Sequence, residues 1–151
     1  MRLTIAAVLG ALAIFAPQAA RGQAVDGWSY EYANGVAKAS LADARGRPSV
    51  ALSCQPPTGD IIIADYGFGR QRSVTTATVK IGGGIAVNIP ATLVGRGRDQ
   101  FVSVHLPQRP PILAGLQPHD QLTVTVNNVT HAYSGDSANQ LRNIAYACWG
   151  S

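Results

Sequence analysis

Three Arg-x-Arg pairs form the most distinctive polar pattern of this 151-residue chain. The pairs are Arg45 and Arg47, Arg70 and Arg72, and Arg96 and Arg98. Each pair falls in a candidate loop, and guanidinium groups bind carboxylate and phosphate through paired hydrogen bonds. If these loops meet at one end of the fold, the arginines would hold an anionic partner, although Asp43 and Asp99 would weaken such a patch. The alternative is that the arginines flank turns and only keep the chain soluble.

Aromatic side chains accompany the middle arginine pair, because Tyr66 and Phe68 precede Arg70 and Arg72. Aromatic residues and arginines are enriched among the residues that dominate binding energy at protein interfaces. We therefore expect the loop over residues 66–72 to contact a partner. Aromatic residues that border a turn from inside the core would give the same pattern, so that alternative stays open.

The three histidines, His105, His119 and His131, are the natural candidates for a metal site or a general base. No H-x-x-x-H or H-E-x-x-H spacing is present, so the pattern does not predict a metal site. His131 lies close in sequence to Ser134 and Asp136, which are the residue types of a hydrolase triad, but no G-x-S-x-G motif accompanies them. A small hydrolase that uses these residues ranks behind binding as a hypothesis.

Motifs for cofactors are missing from the sequence as well. It contains neither a P-loop nor a G-x-G-x-x-G fingerprint. Glu31 is the only glutamate, which argues against a pair of catalytic carboxylates. We expect no cofactor, no metal, no catalytic residues and no enzymatic activity.

Cys54 and Cys148 are the only cysteines of the chain. In an oxidising compartment, two well-separated thiols in a small domain usually pair. Neither cysteine belongs to a C-x-x-C motif, so a reactive thiol is disfavoured. We predict a disulfide that ties the C-terminus to the middle of the fold.

Residues 1–24 are typical of an export signal. Arg2 supplies the positive start, residues 3–15 are apolar apart from Thr4, and small and polar residues lead to a cleavage site after Ala24. The apolar run is shorter than the roughly 20 residues that a membrane-spanning helix needs. We predict a cleaved signal peptide over residues 1–24 and one exported domain over residues 25–151. This domain would have no membrane anchor and would lie in the periplasm or outside the cell.

The charge of the chain argues against a nucleic-acid partner. The formal net charge is +4, and the loss of Arg2 and Arg21 with the signal would lower it to +2. Lys38 and Lys80 are the only lysines and the arginines are scattered, whereas nucleic-acid binders concentrate basic residues on one face. We expect the partner to be an anionic protein of the envelope or of the extracellular space.

Most of the chain after Val25 alternates between apolar and polar residues, as β-strands do. The candidate strands cover residues 28–32, 36–41, 50–54, 60–66, 74–81, 85–89, 101–106, 122–126 and 130–133. Gly82, Gly83 and Gly84 predict a hairpin turn into a strand that starts at Ile85. Residues 61–64 are apolar on both faces and indicate a central strand.

Only the C-terminal segment has helical periodicity. Leu141, Ile144, Ala145 and Cys148 recur at the spacing of one helix face, and the S-x-x-Q pattern that begins at Ser137 is typical of a capping box. We predict a mainly β fold, either an antiparallel β-sandwich or a partly open barrel. One C-terminal α-helix would be tied to it by the disulfide.

This layout resembles that of small exported bacterial proteins of the invasion-associated locus B-like group. The shared features are the signal peptide, an early strand with Trp28, a strand that ends in Cys54, and a final strand, Ser-Gly-Asp-Ser turn and helix between Tyr133 and Cys148. The resemblance implies a β-sandwich periplasmic protein without an established enzymatic site. In some members it also implies an association with host interaction or stress.

Binding is the function that these observations favour, because the fold signals are clear and the catalytic ones are absent. We expect a noncatalytic periplasmic or secreted protein that binds an envelope partner through its loops. The alternative is an inhibitor of an envelope hydrolase, such as a protease or a wall-degrading enzyme, whose rigid loop 66–72 would plug the target.

Overall fold

The computed structural model describes residues 20–21, 27–54, 59–108, 113, 115–133 and 136–149. These residues form antiparallel strands and one α-helix, α1 (Ser137–Trp149). The strands are β1 (Ala20–Arg21), β2 (Trp28–Ala33), β3 (Val36–Ala42), β4 (Pro48–Cys54), β5 (Ile61–Asp65), β6 (Thr76–Ile81), β7 (Val87–Val94), β8 (Phe101–Leu106), β9 (Leu122–Val126) and β10 (Val129–Tyr133). Apart from β1, the predicted signal peptide lies outside the described residues.

The strands form one curled sheet, a half-barrel, in the order β1-β2-β3-β4-β5-β8-β7-β6-β9-β10. Two connections break the simple up-and-down order: the chain passes from β5 to β6 and from β8 to β9. The first of these crosses the end of the sheet before the chain returns through β7 and β8 to lie beside β5. The predicted mainly β fold with one C-terminal helix is confirmed.

The glycine turn between β6 and β7 forms as predicted, but the strand after it does not. Gly82 has a φ of +53°, a conformation in which glycine avoids the strain of a side chain. Ile85 lies outside the strand with 77% of its surface exposed, and β7 runs through Pro90 to Val94 instead of ending at residue 89. Pro90 ends the pairing of β7 with β6, and Ala91 begins its pairing with β8. A residue without an N–H group is tolerated here because the strand changes partner at this point.

Helix α1 packs across strands β2 to β5. Leu141, Ile144 and Cys148 are buried on the face that the periodicity predicted. The predicted start at Ser137 is confirmed, whereas the Gln140 N–H donates to the Asp136 carbonyl and not to the Ser137 hydroxyl that a capping box would use. The Ser137 hydroxyl donates to the Tyr133 carbonyl and accepts from the Leu122 N–H, so this serine ties the helix to β9 and β10.

The predicted disulfide between Cys54 and Cys148 is present and joins residues 94 positions apart. It connects the end of β4 to the last turn of α1. Such a bond indicates a location outside the reducing cytoplasm. Among the described residues, no helix is long and apolar enough to cross a membrane.

Candidate functional site

The three connections that carry the arginine pairs lie at the same end of the sheet. They follow β3, β5 and β7, which run in the same direction. The end of β5 is paired with the start of β8 (Asp65 with Val102), and so is the end of β7 (Val94 with Phe101). Because neighbouring strands are antiparallel, the ends of β3, β5 and β7 lie beside the starts of β4 and β8. Strand topology therefore brings distant arginines together.

Two adjoining cavities of about 430 Å³ and about 310 Å³ open at this end of the sheet. Both are lined by Arg47, Tyr66, Gly67 and Arg98. The first also includes Asp43, Pro48, Ser49 and Asp99, and the second includes Gly69, Arg70 and Gly97. We call the two cavities together the arginine pocket. Their size falls in the range of pockets that bind small organic groups, which is about 300–1,000 Å³.

One arginine of each pair lines the arginine pocket: Arg47, Arg70 and Arg98. The other member of each pair, Arg45, Arg72 or Arg96, is also exposed but lies outside the lining residues that the structure describes. The structure thus divides the candidate residues into a pocket set and a flanking set of equal charge.

Of the two carboxylates predicted to weaken the patch, Asp43 binds the backbone and side chain of the first arginine pair. Asp43 accepts hydrogen bonds from the backbone N–H groups of Arg45 and Arg47, and its Oδ2 lies 2.9 Å from Nη2 of Arg47. The N–H of Arg47, ahead of the other contacts, lowers the pKa of Asp43, so this carboxylate stays charged. Asp43 and Asp99 line only the first cavity. In the second cavity three arginines meet with no acidic side chain in its described lining.

The wall between the arginines is a short 3₁₀ helix, Tyr66–Phe68, that follows β5. Tyr66 lies against Phe101 with ring centroids 5.0 Å apart, and it lines both cavities. Phe68 is only 2% exposed, so it supports the loop from the core. Of the two aromatic residues predicted to contact a partner, Tyr66 is therefore placed to do so and Phe68 is not.

The rest of this loop is held by hydrogen bonds from two neighbouring segments. The Gln100 side chain donates to the Gln71 carbonyl at 2.9 Å. The Asn127 amide, in the turn between β9 and β10, donates to the Gln71 side chain and to the Ser73 carbonyl. These contacts limit the freedom of the segment that carries Arg70 and Arg72.

Behind the wall lies a fully buried carboxylate, Asp65, at the end of β5. Its Oδ1 accepts the Gly67 N–H at 2.9 Å and lies 3.2 Å from Nδ1 of His131 on β10. The His131 ring stacks on Phe68 with centroids 4.0 Å apart. Tyr133, which is 7% exposed, interacts with the same carboxyl group through its hydroxyl. We call Asp65, His131 and Tyr133 the buried cluster.

Burial dominates the ionisation of this cluster. It raises the pKa of Asp65, against contributions from the Tyr133 hydroxyl, His131 and the Gly67 N–H that favour the charged form. Oδ2 of Asp65 is buried without a hydrogen bond of ordinary geometry among the described residues. Burial, followed by the charge of Asp65, raises the pKa of Tyr133 far above its usual value, so this hydroxyl remains protonated.

Sequence reasoning missed Asp65, although one signal was available. The residue is an acid directly after the apolar run 61–64, and an acidic side chain at the end of a buried strand requires a partner. Its partner His131 is 66 positions away, so no local pattern joins the two residues.

The acid that pairs with His131 differs from the one in the hydrolase hypothesis. His131 pairs with Asp65, whereas the Asp136 side chain contacts the side chains of Asn139 and Gln140. Ser134, the candidate nucleophile, lies outside the described residues. His105 and His119 are exposed, and the part of the chain that the structure describes contains no group of histidine, cysteine and acidic residues that could hold a metal ion.

Comparison with known proteins yielded no relative: no family model, no curated protein and no solved structure matches this chain.

Proposed function

We propose that this protein is a noncatalytic exported protein of the bacterial envelope and that it binds an anionic protein partner through the arginine pocket. The observation that carries the proposal is the convergence of Arg47, Arg70 and Arg98, from three separate loops, around shared cavities. The disulfide supports the exported location, and the N-terminal sequence supports a cleaved signal peptide.

Carboxylate is the anion that this pocket suits in a protein partner. Each guanidinium group offers donors in a planar fork that matches a carboxylate, and the group stays charged at every physiological pH. Arg47 already donates to Asp43 through Nε and Nη2, so Arg70 and Arg98 have the larger share of free donors. Tyr66 adds an aromatic surface beside them, and aromatic residues with arginines are typical of binding hot spots.

The pairing of a pocket set with a flanking set gives a direct test. Alanine replaces Arg47, Arg70 and Arg98 in one variant, and Arg45, Arg72 and Arg96 in a control that loses the same charge from the same loops. The oxidised protein and both variants are used to capture partners from envelope extract. We expect a stoichiometric partner for the wild type and the control, and its loss in the pocket variant. Equal loss in both variants would show that only net charge matters and would contradict the proposal.

Inhibition of an envelope hydrolase is a second candidate, favoured by the restraint of the loop over residues 66–72. The hydrogen bonds from Gln100 and Asn127 hold that loop in place, and preorganisation reduces the entropic cost of binding. Tight one-to-one inhibition of a captured hydrolase, lost in a Tyr66→Ala variant, would distinguish an inhibitor from a simple binding protein.

A further inference from the structure

The buried cluster and the arginine pocket share one structural element, the wall at Gly67. On the pocket side, Gly67 lines both cavities. On the inner side, its N–H donates to Asp65, and its backbone packs against the His131 ring so closely that an added Cβ would lie 2.3 Å from Cε1 of that ring. A change of charge in the cluster therefore occurs directly behind the anion site.

We infer that Asp65 and His131 are positioning residues for the arginine pocket and that they make its anion binding proton-linked, with tighter binding at lower pH. The inference rests on the proposed function and adds a regulation to it. Asp65 fixes the wall through the Gly67 N–H, and His131 holds Asp65 and Phe68 together.

The direction of the effect follows from charge alone. When Asp65 is ionised, its buried negative charge repels an anion on the other side of the wall. One proton taken up from water by Asp65 or by the contacting His131 offsets that charge. Because His131 and Asp65 are in contact, the proton belongs to the pair and not to one residue. Binding and protonation then favour each other by the same factor.

The other titratable groups that face the cluster and the pocket leave this direction unchanged. Tyr133 stays protonated because its pKa is raised, and Asp43 stays ionised because its pKa is lowered. Arginines do not titrate in this range. Asp99 completes the charged lining of the first cavity and carries the same charge in every variant compared below.

Histidine is the side chain that ordinarily changes charge between about pH 5 and about pH 8, and the His131 side chain is 28% exposed, so protons can reach it from solvent. A proton-linked pocket would respond to a change of pH within that range.

The test measures binding of a labelled oligoglutamate peptide to the oxidised protein at several values between about pH 5.5 and about pH 7.5, where the peptide carboxylates stay ionised. We expect the wild-type affinity to weaken by about three- to tenfold over this range, which is within the limit of one proton. The double variant Asp65→Asn/His131→Gln should lose the slope, since neither amide side chain titrates, whereas a single substitution leaves one titratable residue of the pair. His119→Gln, which changes an exposed histidine of a turn, should keep the slope.

A double variant with the wild-type slope would overturn the inference. If the double variant fails to fold, the pH dependence of the Gly67 amide resonance in the wild type decides instead.

A second readout, without ligand, separates this inference from the proposed function. The Gly67 amide resonance should shift with pH in the wild type and not in the double variant, because Asp65 accepts that N–H. Failure of the wild type to bind the peptide at any pH would contradict the proposed function. A pH-dependent Gly67 resonance in the wild type would then still support the positioning role, whereas a resonance that does not move would overturn it.

Discussion

At the scale of single residues, Asp65 holds the wall of the pocket by accepting the Gly67 N–H. Asp65 is fully buried. Burial of an ionised carboxylate costs free energy unless the charge is paired and hydrogen-bonded. Gly67 and His131 both contact Oδ1 of Asp65. Among the described residues, Oδ2 has no hydrogen bond of ordinary geometry. The fold therefore keeps an unfavourable group at the candidate site.

The stability of the protein should depend on the ionisation of Asp65. Burial raises the pKa of Asp65, so the folded state binds a proton more tightly than the unfolded state does. The stabilisation from this group is complete below the unfolded value and is lost as the pH rises through the folded one. Each unit by which the pKa is raised corresponds to about 1.4 kcal/mol.

We expect Asp65→Asn to remove this loss, so that its melting temperature changes less than that of the wild type as the pH rises from about 4 to about 7. Thermal unfolding monitored by circular dichroism at each pH provides the measurement. Parallel pH profiles for the two proteins would show that the ionisation of Asp65 does not govern stability in this range.

Gly67 is the residue at which the wall tolerates no side chain. An added Cβ would lie 2.3 Å from Cε1 and 2.5 Å from Nδ1 of His131. We expect Gly67→Ala to displace that ring and to cost about 1–3 kcal/mol of the free energy of unfolding, as other overpacking substitutions do. Gly83→Ala is the matched control, since a Cβ there meets nothing within 4 Å. Chemical denaturation of both variants gives the comparison, and equal losses would contradict the predicted contact.

At the scale of elements, α1 is the part that the sequence predicted best. Leu141, Ile144 and Cys148 repeat at the period of a helix, and all three are buried. Strand β7 was predicted less well, because Pro90 reads as the end of a strand. In the structure this proline lies where β7 changes partner from β6 to β8, which only the arrangement of three strands can show.

The candidate site was predicted only in part, because it too depends on how distant strands are arranged. The arginine pairs are visible as a local pattern, whereas their convergence depends on the strand order that places β5 beside β8. The contact between Asp65 and His131 depends on the curl of the sheet, which brings β10 to the end of β5. A period-two pattern determines which face of a strand is buried, but it does not determine which distant strand lies opposite.

The packing of α1 should contribute strongly to stability. Leu141 is completely buried against the sheet, so Leu141→Ala should lower the free energy of unfolding by about 2–5 kcal/mol through lost burial and the cavity left behind. Asn143→Ala, on the exposed side of the same helix, should change it by less than about 0.5 kcal/mol. Urea denaturation of the two variants measures both values. A small loss for Leu141→Ala would show that the helix is not anchored through this face.

At the scale of the whole molecule, the disulfide joins the C-terminal helix to the middle of the sheet. Cys54 and Cys148 are 94 positions apart in the sequence. The segment between them carries Arg70 and Arg98, two of the three arginines of the pocket. In the chain-entropy treatment a loop of this length corresponds to about 4–5 kcal/mol of stabilisation.

Reduction should therefore lower the melting temperature markedly. Calorimetry of the oxidised and reduced protein, with the thiols counted by mass after alkylation, makes the measurement. An unchanged melting temperature in a sample with both thiols free would contradict the structural role of the bond. The same samples show whether the pocket still binds the oligoglutamate peptide once the helix is released.

Three arginines, each from a different loop, form the proposed anion site. It is tested most directly by measuring the dissociation constant of the oligoglutamate peptide for the wild type, for the pocket variant (Arg47, Arg70 and Arg98 to alanine) and for the flanking variant (Arg45, Arg72 and Arg96 to alanine). We expect at least about a tenfold loss of affinity in the pocket variant, because hydrogen bonds to charged groups contribute about 1.5–3 kcal/mol each. The flanking variant should lose less than about threefold, because remote exposed charges are screened. Equal losses in the two variants, or none in either, would contradict the proposal.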